Sequence, residues 1–144
     1  MIAEGGKDGV VKVYRQDGSQ YQQIQEIVLG MRVRALALSS QKLIISGNSN
    51  SIYIYEHDGT EYALTQTITI NSAGMPDFYV SADFMELSFG DNLSLQTYKD
   101  LGGTHSLVDH NIINKAIREI ISDQKFYVMI ETVDAMLTYY KCPP

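Results

Sequence analysis

Residues 51–68 read SIYIYEHDGTEYALTQTI, and residues 10–27, 41 positions earlier, read VVKVYRQDGSQYQQIQEI. Each stretch alternates apolar and polar residues, turns at an Asp-Gly pair and restarts on a Tyr. Alternation of period two gives a strand two different faces. An Asp-Gly pair between two such runs signals a hairpin, since Gly59 can take the positive φ that a tight turn demands. Laying Gly6–Ile27 on Gly47–Ile68 gives seven identities in 22 positions without a gap. They are Gly6 with Gly47, Tyr14 with Tyr55, Asp17 with Asp58, Gly18 with Gly59, Tyr21 with Tyr62, Gln25 with Gln66 and Ile27 with Ile68.

The pattern continues down the chain. GDNLSLQTYK places Tyr98 43 residues after Tyr55, and DAMLTYYK places Tyr140 42 residues after Tyr98. Turn sequences recur in step: SSQK at 39–42, SADF at 81–84 and SDQK at 122–125. One unit reads as four strands. VRALALSS (33–40) alternates on two largely apolar faces, and KLIISG is a short apolar run closed by Gly47. SIYIY sets Ile52 and Ile54 against Tyr53 and Tyr55, and YALTQTITI follows the hairpin. Four antiparallel strands every 41–43 residues is the period of a β-propeller blade.

On these residues the chain resembles the WD-repeat and related propeller families. KLIISGNSNSIYIYE occupies the place of the family's second strand, turn and third strand, with Tyr55 where the family usually has Trp. Tyr14, Tyr98 and Tyr140 match the same position, as a structural signature of the repeat. No Gly-His opens a unit and no Trp-Asp pair closes one: Arg15, Glu56, Lys99 and Lys141 stand where Asp would be. The hydrogen-bond network of typical WD blades is therefore not carried over. The hairpin also looks like blades of integrin-type propellers, without their Asp-rich calcium loop. The resemblance implies an all-β propeller segment of about three and a half four-stranded antiparallel blades. The expected divisions are strands B–D of a first blade at 1–29, full blades at 32–70 and 77–113, and strands A–C of a fourth at 115–141.

One stretch reads two ways. In DHNIINKAIREIISD (109–123), Ile113, Ala116, Ile117, Ile120 and Ile121 recur at helical spacing, and Asp109 could cap a helix. IREIISDQK also reads as VRALALSSQK with one residue missing, which favours a strand. Under the strand reading the tally is three, four, four and three strands. Such an array leaves edges and apolar faces to cover. Either the chain belongs to a longer propeller whose remaining blades lie elsewhere, or two copies form a homodimer with a seven-bladed ring.

Composition narrows the function. The chain has 144 residues, 44% of them hydrophobic, and a net charge of −6. An acidic surface with scattered Lys and Arg argues against nucleic-acid binding. No apolar run of eighteen residues exists, so membrane insertion is not expected. The opening MIAEGGKDG lacks the parts of a secretory signal, so the expected location is cytoplasmic if Met1 is the true start. Lone Cys142 forms no internal disulfide. No nucleophile elbow or phosphate-cradling loop occurs, so the chain is read as a non-enzyme without cofactors.

Metal readings are weak. His105 and His110 are five apart, an odd spacing that sends them to opposite faces of a strand. His57 lies in a hairpin turn, where solvation is the default. Asp8, Asp91 and Asp134 fall near successive turns and could attract a cation, though turn aspartates usually bond their own backbone. Asn92-Leu93-Ser94 matches a glycosylation sequon. Binding of another protein, or of the remaining blades, is the favoured role, with a cation- or ligand-binding extracellular propeller as the alternative. The candidate partner-binding residues are Met31, Arg32 and Met75 in the loops VLGMRVR and INSAGMPD, with Lys7 and Asn48 in neighbouring turns. Met adapts to varied surfaces, and Arg32 suits an acidic partner.

Overall fold

The alternating runs become strands, and each strand pairs antiparallel with its neighbour in sequence. The computed structural model describes residues 1–71, 77–91, 94–112, 117–122, 126–131 and 137–141, with side chains for those up to residue 110 and for Ile112. Among the described residues there are fourteen strands and no helix. They form four sheets, of three, four, four and three strands in chain order. The chain divides into two compact units, Met1–Ile70 and Asn71–Pro144.

The first unit holds two sheets: β1 (Ile2–Gly5), β2 (Val10–Asp17) and β3 (Gln20–Val28), then β4 (Val33–Leu38), β5 (Lys42–Gly47), β6 (Ser51–His57) and β7 (Tyr62–Thr69). Alternation sends Val11 and Val13 to one face of the first sheet, where they share a core with Leu43, Ile45, Tyr55 and Tyr62 of the second. Burying each such side chain is worth about 1.5–3 kcal/mol. The contact is sealed by one amide. The Gln25 side chain donates from Nε2 to the Tyr62 carbonyl and accepts from the Tyr62 N–H, both at 2.8 Å. Tyr62 in turn donates its hydroxyl to the Ser39 carbonyl at 2.6 Å.

The repeat tyrosines share a backbone irregularity. Pairing of the third strand with the fourth shifts register between Val13 and Tyr14, between Ile54 and Tyr55, and between Thr97 and Tyr98. A bulge bends the strand and re-aims the side chain after it. Tyr55 is buried in the shared core. Tyr14 is half-buried and donates to Glu4 Oε1 at 2.6 Å, which raises its pKa above the ordinary tyrosine value.

The second unit holds β8 (Phe78–Val80), β9 (Glu86–Asp91), β10 (Ser94–Asp100) and β11 (His105–Ile112) in one sheet, and β12 (Ile117–Ser122), β13 (Phe126–Glu131) and β14 (Leu137–Lys141) in the other. Leu87 and Phe89 are fully buried, and Tyr98 stacks on Phe89 with centroids 5.4 Å apart. Tyr140 lies opposite Tyr127 in β14, as Tyr55 lies opposite Leu43. The helix-spaced isoleucines Ile117, Ile120 and Ile121 are on a strand, β12. Its ladder starts with Ile117 opposite Glu131 and a shift before Glu119, as Val33 stands opposite Gly47 with a shift before Ala35. No residue is missing from this strand. Ile113 and Ala116 lie outside the described residues.

The two three-stranded sheets are separate, the first matching strands B–D and the last A–C.

Gln25→Ala removes two bonds and strands both backbone groups of Tyr62 at a part-buried site. It should cost about 1–3 kcal/mol in urea unfolding, whereas Gln23→Ala on the exposed side should stay within about 0.5 kcal/mol.

Candidate functional site

Three connections meet at one end of the first unit. The β1–β2 turn is closed by Gly9 N–H to the Gly6 carbonyl at 3.3 Å, and Asp8 Oδ1 accepts from Val10 N–H at 3.2 Å. The β3–β4 loop is tied to that turn twice: Leu29 N–H donates to the Gly9 carbonyl at 2.8 Å and Val33 N–H to the Gly6 carbonyl at 3.1 Å. Asn48 N–H, in the β5–β6 turn, donates to the Arg32 carbonyl at 2.8 Å. Every loop here is therefore held by main-chain bonds to another.

Two glycines permit the approach. Gly9 has φ +76°, and a Cβ there would lie 2.6 Å from the Met31 carbonyl oxygen. A Cβ on Gly47 would lie 2.5 Å from the Arg32 carbonyl oxygen and 2.9 Å from Met31 Cε. Met31 is thus a half-buried wedge, its main chain over Gly9 and its thioether over Gly47. Arg32, Lys7 and Asn48 are exposed on the same three loops. The structure so brings together Lys7, Met31, Arg32 and Asn48. Met75 lies outside the described residues. Two cationic side chains and an amide on a fixed backbone suit a carboxylate-bearing partner.

The other polar candidates are placed separately. Asp91 is buried and accepts from Asn71 N–H at 3.0 Å and from Gln96 Nε2 at 3.0 Å. Asp134 and Asn92 lie outside the described residues. His105 is buried with Nε2 3.2 Å from the Phe84 carbonyl oxygen, while His110 is exposed. The histidines are not a pair. His57 is half-buried rather than solvated: Nδ1 accepts from Gly59 N–H at 3.1 Å, and the ring sits edge-on to Tyr62 at 4.9 Å.

Sequence reading missed a cleft of roughly 300 Å³ in the second unit, lined by Tyr79, Ser81, Asp83, Glu86, Lys99 and Asp100 among others. Its charges are engaged internally, with Lys99 Nζ 3.9 Å from Glu86 Oε2 and Asp83 accepting from the Ser81 hydroxyl at 2.5 Å. That bond and the Met85 N–H hold the Asp83 carboxyl below its usual range. No motif foretold the cleft, because its residues come from β8, β9, β10 and the turns that adjoin them.

Comparison with solved structures shows the fold. The β-propeller domain of Cps50 (Swd1) from Myceliophteria thermophila aligns over 98% of this chain and 50% of its own, with TM-score 0.73 and 12% identity. A chain of the mitotic checkpoint complex aligns over 98% of this chain and 45% of its own, with TM-score 0.78 and 16% identity. A putative 6-phosphogluconolactonase from Bacteroides uniformis aligns over 93% and 44%, with TM-score 0.73 and 15% identity. The chain spans about half the length of these proteins or less. It matches no family model and no curated protein sequence. The four antiparallel sheets are those of a β-propeller segment, and identity at this level speaks to fold alone.

At the hairpin joining β6 to β7, the Asp58 carboxylate accepts from Glu61 and Thr60 N–H groups, which hold its pKa below the ordinary value. A depressed folded-state pKa contributes stability above the unfolded pKa, and that stability is lost as pH falls through the folded one. Asp58→Ala should lower the melting temperature at pH 7, with the gap to the parent closing below the ordinary carboxylate range. A gap unchanged down to pH 2 would count against this role.

Proposed function

We propose that the chain is a non-catalytic protein-interaction scaffold of WD-repeat-like propeller type. It presents the end formed by Lys7, Arg32 and Asn48 to an acidic segment of a partner protein. Its remaining sheets belong to a longer propeller of which this chain is a piece, or come from a second copy. The observation that carries this reading is the locking of three loops by main-chain bonds and by the Gly9 and Gly47 contacts with Met31. A surface held in one geometry loses little conformational entropy on binding. The mitotic checkpoint complex and Cps50 neighbours lend general support, since propellers serve in such settings. The phosphogluconolactonase neighbour shows that the fold also hosts other roles, so the site and not the fold must decide.

The test is binding of fluorescent peptides bearing clustered Asp and Glu to the parent chain and to Arg32→Glu. A charge-assisted contact of about 1.5–3 kcal/mol predicts roughly 10–100-fold weaker binding for the variant, with no change in melting temperature. Equal binding by both proteins would contradict the proposal. A melting temperature that rises with calcium and falls with chelator would instead favour a cation-binding propeller.

A further inference from the structure

The turn between β8 and β9 departs from its counterpart between β4 and β5. In both, a serine N–H closes the turn on the carbonyl of the next strand's first residue: Ser39 on Lys42 at 2.8 Å, Ser81 on Glu86 at 2.9 Å. Lys42 and Glu86 hold the same register place, each opposite the residue after a repeat tyrosine, Glu56 and Lys99. The ion pair at that place is kept with its charges exchanged, at 3.7 Å for Lys42 with Glu56 and 3.9 Å for Lys99 with Glu86. The turn that Ser81 opens is therefore longer by two residues.

Two further departures fall at the same place. Phe84, inside the lengthened turn, has φ +59°, and among the described residues no other non-glycine is left-handed. Such backbone is costly for a bulky side chain and persists only where its surroundings fix it. Here His105 Nε2 lies 3.2 Å from the Phe84 carbonyl oxygen. The second departure is in polarity. The Asp100 N–H bonds the Met85 carbonyl as the His57 N–H bonds the Gln41 carbonyl, both at 2.8 Å. Met85 thus stands where the β4–β7 sheet has Gln41, and Leu101 where it has Asp58. Met85 is 46% exposed and Leu101 65%. Strain and exposed apolar surface both count against the folded state, and departures of this kind gather at functional sites.

All three border the cleft of roughly 300 Å³ in the second unit. That size lies at the small end of ligand sites, about 300–1,000 Å³, and suits a single side chain. The charges choose which one. With Lys99 matched to Glu86, Asp83 and Asp100 leave the lining acidic. The Ser81 hydroxyl and the Met85 N–H both bond Asp83 at Oδ1, and they keep it an anion at neutral pH. Oδ2 takes neither bond.

We propose that this cleft docks a partner protein through one arginine, with its guanidinium on Asp83 and the arginine's apolar neighbours on Met85 and Leu101. Arginine fits better than lysine because its planar fork matches a carboxylate and favours an aromatic neighbour, which Tyr79 on the wall supplies. The surface is separate from the Lys7, Arg32 and Asn48 loops and takes a partner of opposite charge.

The test is fluorescence anisotropy of the labelled pentapeptide Gly-Leu-Arg-Leu-Gly with the full chain. Saturable binding is expected, weakened about 10-fold or more by Asp83→Asn, which keeps an acceptor for Ser81 and Met85. Met85→Gln installs the residue of the β4–β7 sheet and should weaken binding several-fold with the melting temperature unmoved. Asp17→Asn removes the same charge from an exposed hairpin of the first unit and should change nothing. No saturable binding, or an equal loss in Asp83→Asn and Asp17→Asn, would overturn the proposal, the latter by showing a general pull of the acidic surface. Met85→Gln binding as tightly as the parent, or a probe with glycine for both leucines doing so, would overturn it too. Arg32→Glu should not weaken this probe, so the two surfaces stand or fall separately.

Discussion

The apolar layer shared by Val11 and Val13 with Leu43 and Ile45 is the contact on which the first unit depends. Neither sheet can cover its own face. A three-stranded sheet four to nine residues long has too little interior to offset the entropy of ordering its chain. Stacking a second sheet removes both faces from water at once, which is why the sequence repeats itself. Gln25 then fixes the relative placement, because its one amide satisfies both the N–H and the carbonyl of Tyr62 across the contact. Apolar burial supplies the drive, and the paired hydrogen bonds supply the register.

The same constraint shapes the loops. Once the two sheets are stacked, the β1–β2 turn and the β5–β6 turn lie beside the chain that crosses between them. The crossing segment passes close enough that Gly9 and Gly47 have no room for a side chain. Met31 fills the space left over, so its softness serves packing, and Arg32 is left facing solvent on a backbone tied to Asn48. A candidate binding surface arises here as a by-product of packing, with charge confined to the residues that packing does not use.

Much of the fold was legible in the sequence, for physical reasons that differ by residue. Tyrosine at one position of each unit and Asp-Gly between alternating runs are local signals, and strands and hairpins are local structures. The isoleucines at 117, 120 and 121 recur at helical spacing, while the match of IREIISDQK to VRALALSSQK favoured the strand that forms. Only pairing with β13, a long-range contact, decides between them. Gln25 stood among the identities of the repeat, yet its clamp on Tyr62 was not foreseen. A polar residue at a repeat position signals a bond without naming the partner 37 residues away. His105 was set aside as a metal ligand on its spacing from His110, but its contact with the Phe84 carbonyl was not foreseen. At the candidate site, the loops Lys7, Met31, Arg32 and Asn48 belong to were legible as turns. Their convergence was not, since it follows from glycine contacts that only three dimensions reveal.

The central claim is that the two sheets of the first unit are stable only as a stacked pair. Native-state hydrogen exchange of a Val13→Ala variant tests it most directly. The substitution sits in the first sheet, and its cavity should be felt across the contact, costing roughly 1–3 kcal/mol. The account predicts that amides of β5, in the second sheet, lose protection together with those of β2 and by a similar factor. Loss of protection confined to β1, β2 and β3, with β5 exchanging as in the parent, would show that each sheet stands alone and would contradict the account.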